Sequence, residues 1–104
     1  MDLKNLVAQA QQMQQRAKQV EESLQRLAVT GTSGGGMVTV EADGKGTVKK
    51  VRIDPTVVNA ADVEMLEDLV TVAVADAQKK AADAAQAEMR GLMGGLNLPF
   101  PLPF

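Results

Sequence analysis

The chain has 104 residues, a length that fits one domain, and its 11 lysines and arginines against 13 aspartates and glutamates give a net charge of −2. It contains no cysteine and no histidine, which excludes disulfides, thiolate chemistry and zinc sites with the usual ligands, and removes the most common general base. Only two residues are aromatic, both phenylalanines near the carboxyl end, so recognition of single strands by base stacking is not expected.

A long helix is predicted from Leu3 to Leu27. Apolar or small residues recur there at alternating spacings of three and four, which is the heptad pattern of a helix that packs along one seam. They are Leu3, Leu6, Ala10, Met13, Ala17, Val20, Leu24 and Leu27. Val29 and Thr30 can begin a short first strand. The glycines at 34–36 follow, and we interpret them as a mobile connection, because they lack the lysine and the helix start of a phosphate-binding loop.

Two further strands are predicted on either side of a tight turn. Met37–Ala42 alternates between apolar and polar residues, the period of a half-buried strand, and Thr47–Ile53 is its partner. Between them the segment 43–46, Asp-Gly-Lys-Gly, has the residues of a short hairpin turn. Proline at position 55 ends the second strand because it has no N–H to donate. The hairpin should therefore have a well-fixed register and needs a helix to cover it.

A second long helix is predicted to begin at Asn59 or Asp62 as its N-cap. Four carboxylates, Asp62, Glu64, Glu67 and Asp68, lie where the helix dipole favours negative charge, so we interpret them as capping residues and not as a metal site or an acid–base pair. The helix should end near Gly91 or the glycines at 94–95. We predict a single domain over residues 1–95, followed by a flexible proline-rich tail, LNLPFPLPF, at 96–104.

The first half of the second helix is apolar nearly all round, which is more than one protomer of this size can cover. The sequence thus predicts a homodimer with an interface that includes Leu66, Leu69, Val70 and Val74. If the two helices run antiparallel with Leu27 opposite Val63, small residues meet along a seam between them. That seam would comprise Ala10, Ala17, Ala73, Ala77 and Ala81.

The chain resembles the YbaB/EbfC family of bacterial nucleoid-associated proteins over essentially its whole length. The resemblance is carried by the Gln- and Met-rich first helix, by VTGTSGGGMVTVEADGKGTVKKVRIDP at 29–55, by DVEMLEDLV at 62–70 with its alanine-rich continuation, and by the glycine- and proline-containing end. It implies an α+β protomer of long helix, three-stranded antiparallel sheet and long helix. It also implies a homodimer whose projecting helical arms bind DNA, in the cytoplasm at the nucleoid.

From the residues and this resemblance we predict that the dimer binds double-stranded DNA mainly through the phosphate backbone, with little sequence preference. The predicted DNA-binding residues are Lys4, Arg16, Lys18, Lys79, Lys80 and Arg90, and the strand residues Lys50 and Arg52 form a second candidate surface. No cofactor or metal and no small-molecule substrate is expected. An enzyme is not expected either, because the usual nucleophile and base partners are missing. The alternative is a dimeric protein-interaction module that uses its helical arms or its proline-rich tail.

Overall fold

The structure is a computed structural model that describes residues 2–93, with side chains up to residue 91. The elements follow in the order α1 (Leu3–Arg26), β1 (Val29–Ser33), a 3-10 turn (Gly34–Gly36), β2 (Val38–Ala42), β3 (Val48–Ile53), a second 3-10 turn (Pro55–Val57) and α2 (Val63–Met93). The three strands form an antiparallel sheet in the order β1-β2-β3. The predicted α+β fold is therefore confirmed. The predicted tail at 96–104 lies outside the described residues.

The sheet has one face covered by α2 and one open face. On β2, the side chains of Val38, Val40 and Ala42 are buried, while the alternate residues face the other way. Fully burying a valine side chain contributes roughly 1.5–3 kcal/mol, so Val38 and Val40 anchor the small core. Strand β1 begins at Val29, as predicted, and extends to Ser33.

Helix α2 lies directly on the backbone of β1. A Cβ atom added to Gly31 would overlap the backbone N of Ala77 and the carbonyl O of Ala73, and would come 2.7 Å from the Ala77 Cα. Only glycine permits this approach, and the alanines one turn apart on α2 leave the matching space. Ala73 and Ala77 are fully buried as a result. The small residues of α2 therefore serve contact with the sheet.

The hairpin turn is held by the carboxylate of Asp43. Its Oδ1 accepts hydrogen bonds from the backbone N–H groups of Lys45 (2.9 Å) and Thr47 (3.1 Å), and the positive φ of the turn is at Gly46 (83°). Burial raises the pKa of Asp43, but those two N–H groups and the nearby Lys49 ammonium (3.6 Å) outweigh it and hold the pKa below its usual value. The pairing of Glu41 with Lys50 and of Ala42 with Val48 leaves Lys49 as an extra residue in a β-bulge.

The start of α2 agrees with the predicted N-cap. The Asp62 carboxylate accepts a hydrogen bond from the backbone N–H of Met65 (3.1 Å), which satisfies one of the free donors of the first turn. Asn59 instead closes the preceding turn by accepting from the N–H of Ala61 (3.0 Å). Of the two residues predicted as the N-cap, Asp62 is therefore the one that caps α2.

Helix α1 meets the rest of the protein only at its carboxyl-terminal end, within residues 2–93. The carbonyl O of Leu24 accepts a hydrogen bond from the N–H of Gly44 (2.8 Å), and Glu21 forms an ion pair with Lys45 (2.8 Å). Every residue of α1 before Val20 is exposed. Helices α1 and α2 are in contact. The half-buried residues of α1 are Val20, Ser23 and Leu24, and those of the later part of α2 are Ala84, Ala85, Glu88 and Met89.

The predicted antiparallel seam is wrong in its register. The carboxyl-terminal end of α1 faces the later part of α2 and not Val63, because the earlier part of α2 is occupied by the sheet. Ala10 and Ala17 are exposed, whereas Ala73 and Ala77 pack on Gly31. Since α1 spans about 36 Å at 1.5 Å per residue, its outer part projects beyond the helix contact as an arm.

Candidate nucleic-acid interface

The arm, residues 3–19 of α1, is a positively charged part of the described structure. It contains Lys4, Arg16 and Lys18 and no acidic residue. Among residues 2–93, no carboxylate lies within 4.0 Å of these three cations. Solvent surrounds them on a stiff support, the helix, which begins with an N-cap bond from the Lys4 N–H to Asp2 (3.1 Å). The arrangement suits contact with a regular array of negative charge.

The predicted cations of α2 have different environments. Lys79 is exposed, and Arg90 is exposed near the end of the helix. Lys80 is engaged: its ammonium lies 3.1 Å from the Asp76 carboxylate and donates a hydrogen bond to the carbonyl O of Thr30 (3.1 Å). Lys80 therefore binds the backbone of β1 as well as carrying charge.

Asp76 and Lys80 together close the outer edge of β1. The Asp76 carboxylate accepts a hydrogen bond from the backbone N–H of Thr32 (3.0 Å), and Lys80 binds the carbonyl of Thr30. This N–H and the Lys80 ammonium hold the pKa of Asp76 below its usual value. We name this arrangement the β1 clasp. An edge strand normally presents such backbone groups to other chains, so the clasp blocks strand addition at β1.

The open face of the sheet carries the second candidate surface. Lys50 lies opposite Glu41, and Arg52 lies opposite Thr39, so these four side chains share the face that α2 does not cover. Lys50 and Arg52 are exposed, and no carboxylate of the described residues lies within 4.0 Å of either. The strand thus presents two unpaired cations side by side.

The side of β3 that faces α2 is apolar, but α2 does not cover it. Val48, Val51 and Ile53 share the side of the sheet on which α2 lies, yet Val51 is 42% exposed and Ile53 is 38% exposed, because α2 packs on β1 and β2. We call Val48, Val51 and Ile53 the β3 row. The predicted interface residues Leu66, Leu69, Val70 and Val74 are partly buried against the core.

Val70 and Val74 lie on the side of α2 that faces the β3 row. Val74 and Asp76 are two positions apart on α2, which separates them by about 200° around the helix axis. Val74 therefore points away from Asp76, whose carboxylate reaches the outer edge of β1. These two valines and the β3 row therefore lie on the same side of the sheet. Of the predicted interface residues, Val70 and Val74 lie towards β3, whereas Leu69 lies against Gly34 at the end of β1, with its carbonyl O accepting a hydrogen bond from the Ser33 hydroxyl (2.6 Å).

Two features of the site were missed by the sequence prediction. The β1 clasp was not predicted, and the hairpin that contains β3 was expected to be covered by a helix. The signal for the close α2–β1 contact was present, since a glycine inside a strand marks close backbone approach and Ala73 and Ala77 are four residues apart. Nothing local to the strands could have shown that α2 stops short of β3.

Comparison with known proteins decides the family. Residues 1–96 match the model of the YbaB/EbfC DNA-binding family. The chain is 48% identical over 104 residues to a protein named nucleoid-associated protein from Gemmatimonas aurantiaca, with all of both chains covered. It is 49% identical over 105 residues to a nucleoid-associated protein of Paramagnetospirillum magneticum, with 99% of this chain and 98% of that protein covered. The chain belongs to the YbaB/EbfC DNA-binding family.

A solved structure supports the fold of this family member. The crystal structure of the uncharacterized protein HP0035 from Helicobacter pylori is similar with a TM-score of 0.74 at 26% sequence identity, covering 90% of this chain and 99% of that chain. The family match spans the arm, the sheet and α2, so the resemblance deduced from the sequence motifs is confirmed. In residues 2–93 no helix is long and apolar enough to cross a membrane, and no group of three or more acidic side chains is placed to hold a metal ion.

Proposed function

We propose that the protein is a homodimeric nucleoid-associated protein that binds double-stranded DNA through the phosphate backbone, in the cytoplasm at the nucleoid, without catalysing a reaction. The family match and the names of the relatives support DNA as the partner. One observation from the structure carries the proposal: the arm has three exposed cations, no acidic residue and no covering element. Phosphate contacts supply most of the affinity in binding without sequence preference.

The proposed contacts begin with the arm cations Lys4, Arg16 and Lys18, because each is free to turn towards a phosphate. Lys79 is the next candidate on α2, and Arg90 stays a prediction. Lys80 would have to leave the β1 clasp to bind DNA, so we rank it below the others. Two protomers would present two such arms, which doubles the number of cations available to the duplex.

The homodimer is proposed to form over the β3 row and the side of α2 that carries Val70 and Val74. Val48, Val51 and Ile53 leave part of their apolar surface exposed here, and burial of apolar surface stabilises association by roughly 25 cal/mol per Å². Val51→Glu tests this because Val51 is part-exposed in the protomer and should tolerate a charge there. We expect light scattering to give the mass of a monomer with the circular dichroism unchanged. A dimer of this variant would contradict the interface.

DNA binding is tested by fluorescence anisotropy of a labelled duplex over a series of salt concentrations. The double variant Arg16→Gln, Lys18→Gln should bind all sequences more weakly, and the slope of log affinity against log salt should fall by about 0.9 for each phosphate that the variant no longer neutralises. The matched control, Arg16→Lys with Lys18→Arg, keeps both charges and should behave like the wild type. Binding that is insensitive to salt would contradict the proposal.

A second candidate function is a protein-interaction module, and the apolar seam of the arm favours it. Leu3 is 76% exposed and Met13 is 72% exposed on the same helix as the cations. An apolar docking surface of this kind would hardly respond to salt, whereas phosphate contacts weaken steeply. The salt series therefore separates the two functions.

A further inference from the structure

We propose that the β3 strands of two copies pair edge to edge, and that this joins Lys50 and Arg52 of both copies into one four-cation site for the phosphate backbone of double-stranded DNA. The inference rests on the proposed function, whose dimer it gives a geometry and whose DNA contacts it extends. The site is incomplete in one protomer, since half of its cations come from the partner subunit.

The two edges of the sheet differ in whether their backbone groups are satisfied. At β1, the Thr32 N–H and the Thr30 carbonyl are taken by the clasp residues Asp76 and Lys80. At β3, the N–H of Asp54 donates a hydrogen bond to the Met37 carbonyl (2.8 Å). In an antiparallel pair, hydrogen-bonded and non-hydrogen-bonded residue pairs alternate, so this bond determines which β3 residues bond to β2. Lys50 and Arg52 then exchange bonds with β2, and the backbone groups of Val51 face outwards. The sheet can therefore be extended at β3 and not at β1.

The β3 row fits a second copy as the occupant of this edge. A closed dimer requires the same patch on both chains, and an antiparallel β3 pair centred on Val51 meets that condition. It places the two β3 rows side by side beneath the two α2 helices, so that Val70 and Val74 of each copy border one shared apolar groove. The exposed valine and isoleucine side chains are then covered by identical residues of the partner.

The opposite face of such a pair concentrates positive charge. In the register centred on Val51, Lys50 lies opposite Arg52 of the partner subunit, and Arg52 lies opposite the partner's Lys50. Like charges directly opposite each other destabilise a strand pair. A polyanion that binds across them removes this repulsion, so DNA binding and dimer formation strengthen each other by linkage. Lys49 does not take part, because the bulge turns it towards Asp43 (3.6 Å).

Edge pairing is tested with single cysteines, which are clean probes because the chain has no native cysteine. Val51→Cys should give a disulfide-linked dimer on mild oxidation, seen on a non-reducing gel, since residues on the two-fold axis face their own copies. Thr30→Cys on the clasped edge is the matched control and should stay monomeric on the gel. Cross-linking of neither variant, or of Thr30→Cys alone, would overturn the edge pairing.

The four-cation site is tested with the double variant Lys50→Gln, Arg52→Gln. We expect two opposite effects: the salt slope of DNA binding falls by up to about 3.6 because four cations are removed from the dimer, and the dimer without DNA tightens by about 2- to 30-fold in analytical ultracentrifugation. A residue with only a structural role would not produce both.

The outcomes separate this inference from the proposed function. If the Lys50→Gln, Arg52→Gln variant binds DNA like the wild type while the arm variant Arg16→Gln, Lys18→Gln loses affinity, the four-cation site is wrong and the proposed function stands. If wild-type protein does not bind a duplex at any salt concentration, the proposed function fails, and with it the four-cation site. The Val51→Cys cross-link then still reports whether β3 is the dimer edge.

Discussion

The body of the protein and its arm each contain part of a long helix but have opposite properties. In the body, the sheet and residues 63–81 of α2, small residues bring backbones into contact, and the core residues Val38, Val40, Ala73 and Ala77 are fully buried. In the arm, residues 3–19 of α1, every side chain is exposed and the charge is positive. The fold therefore depends on the body, while the arm is free to carry function.

The largest effect is expected from Gly31→Ala, which attacks the body at its closest contact. The added Cβ would overlap backbone atoms of Ala73 and Ala77, which cannot rotate away as a side chain would. Overpacking of this kind costs about 1–3 kcal/mol and more where backbone must move. Urea denaturation should show the loss in the free energy of unfolding. Gly91→Ala is the control, because nothing lies within 4 Å of a Cβ there, and it should be neutral or slightly stabilising.

Gly44→Ala should act at the junction and release the arm while sparing the body. Its Cβ would lie 2.8 Å from the Leu24 carbonyl O and 2.9 Å from Leu27 Cδ1, against the N–H bond that ties the turn to α1. We expect amide hydrogen exchange to speed up in the last turns of α1 and to stay slow around Ala73–Ala77. Equal acceleration in both regions would show that the arm and the body unfold as one unit.

The difference between body and arm also explains what the sequence could predict. Alternation predicted the sides of β2, the Asp-Gly-Lys-Gly turn marked the hairpin, and the apolar period marked both helices, since each signal is local. The register between α1 and α2 is not determined by a local sequence signal. It depends on the early part of α2 lying on the sheet, which in turn depends on the contact of Gly31 with Ala73 and Ala77. Small residues on a helix are compatible with a partner helix or with a strand, so spacing alone could not choose.

For the candidate site, the sequence supplied the cations but not their environments. Lys79 and Lys80 are neighbours with the same chemistry, yet only Lys80 is held by Asp76 and by the Thr30 carbonyl. Similarly, Lys49 and Lys50 are adjacent, and the bulge turns only Lys49 towards Asp43. These distinctions come from the packing of α2 on β1 and from one extra residue in the β2–β3 pairing. Neither can be deduced from composition or charge.

A smaller effect, dependent on pH, is expected from Asp76→Asn, which weakens the β1 clasp within the body. The pKa of Asp76 is lowered in the folded state, first by the Thr32 N–H and then by Lys80. A carboxylate with a lowered pKa stabilises the fold at pH values above its unfolded pKa, and this contribution is lost as pH falls through the folded pKa. The wild type should therefore be more stable than the variant at pH 7, and the difference should shrink below about pH 4. Urea midpoints at a series of pH values measure it. A difference that persists at about pH 2 would contradict an ionic origin.

The smallest effect is expected from Ala17→Leu, which adds a large side chain to the arm. Ala17 is exposed, so the leucine meets solvent and the free energy of unfolding should change by no more than about 0.5 kcal/mol. The matched change in the body, Ala77→Leu, replaces a fully buried alanine against the β1 backbone and should cost about 1–3 kcal/mol or more. Urea denaturation of the two variants compares the regions with the same chemistry. If Ala17→Leu were as costly as Ala77→Leu, the arm would have to be packed along its inner face, and the contrast between an exposed arm and a close-packed body would be wrong.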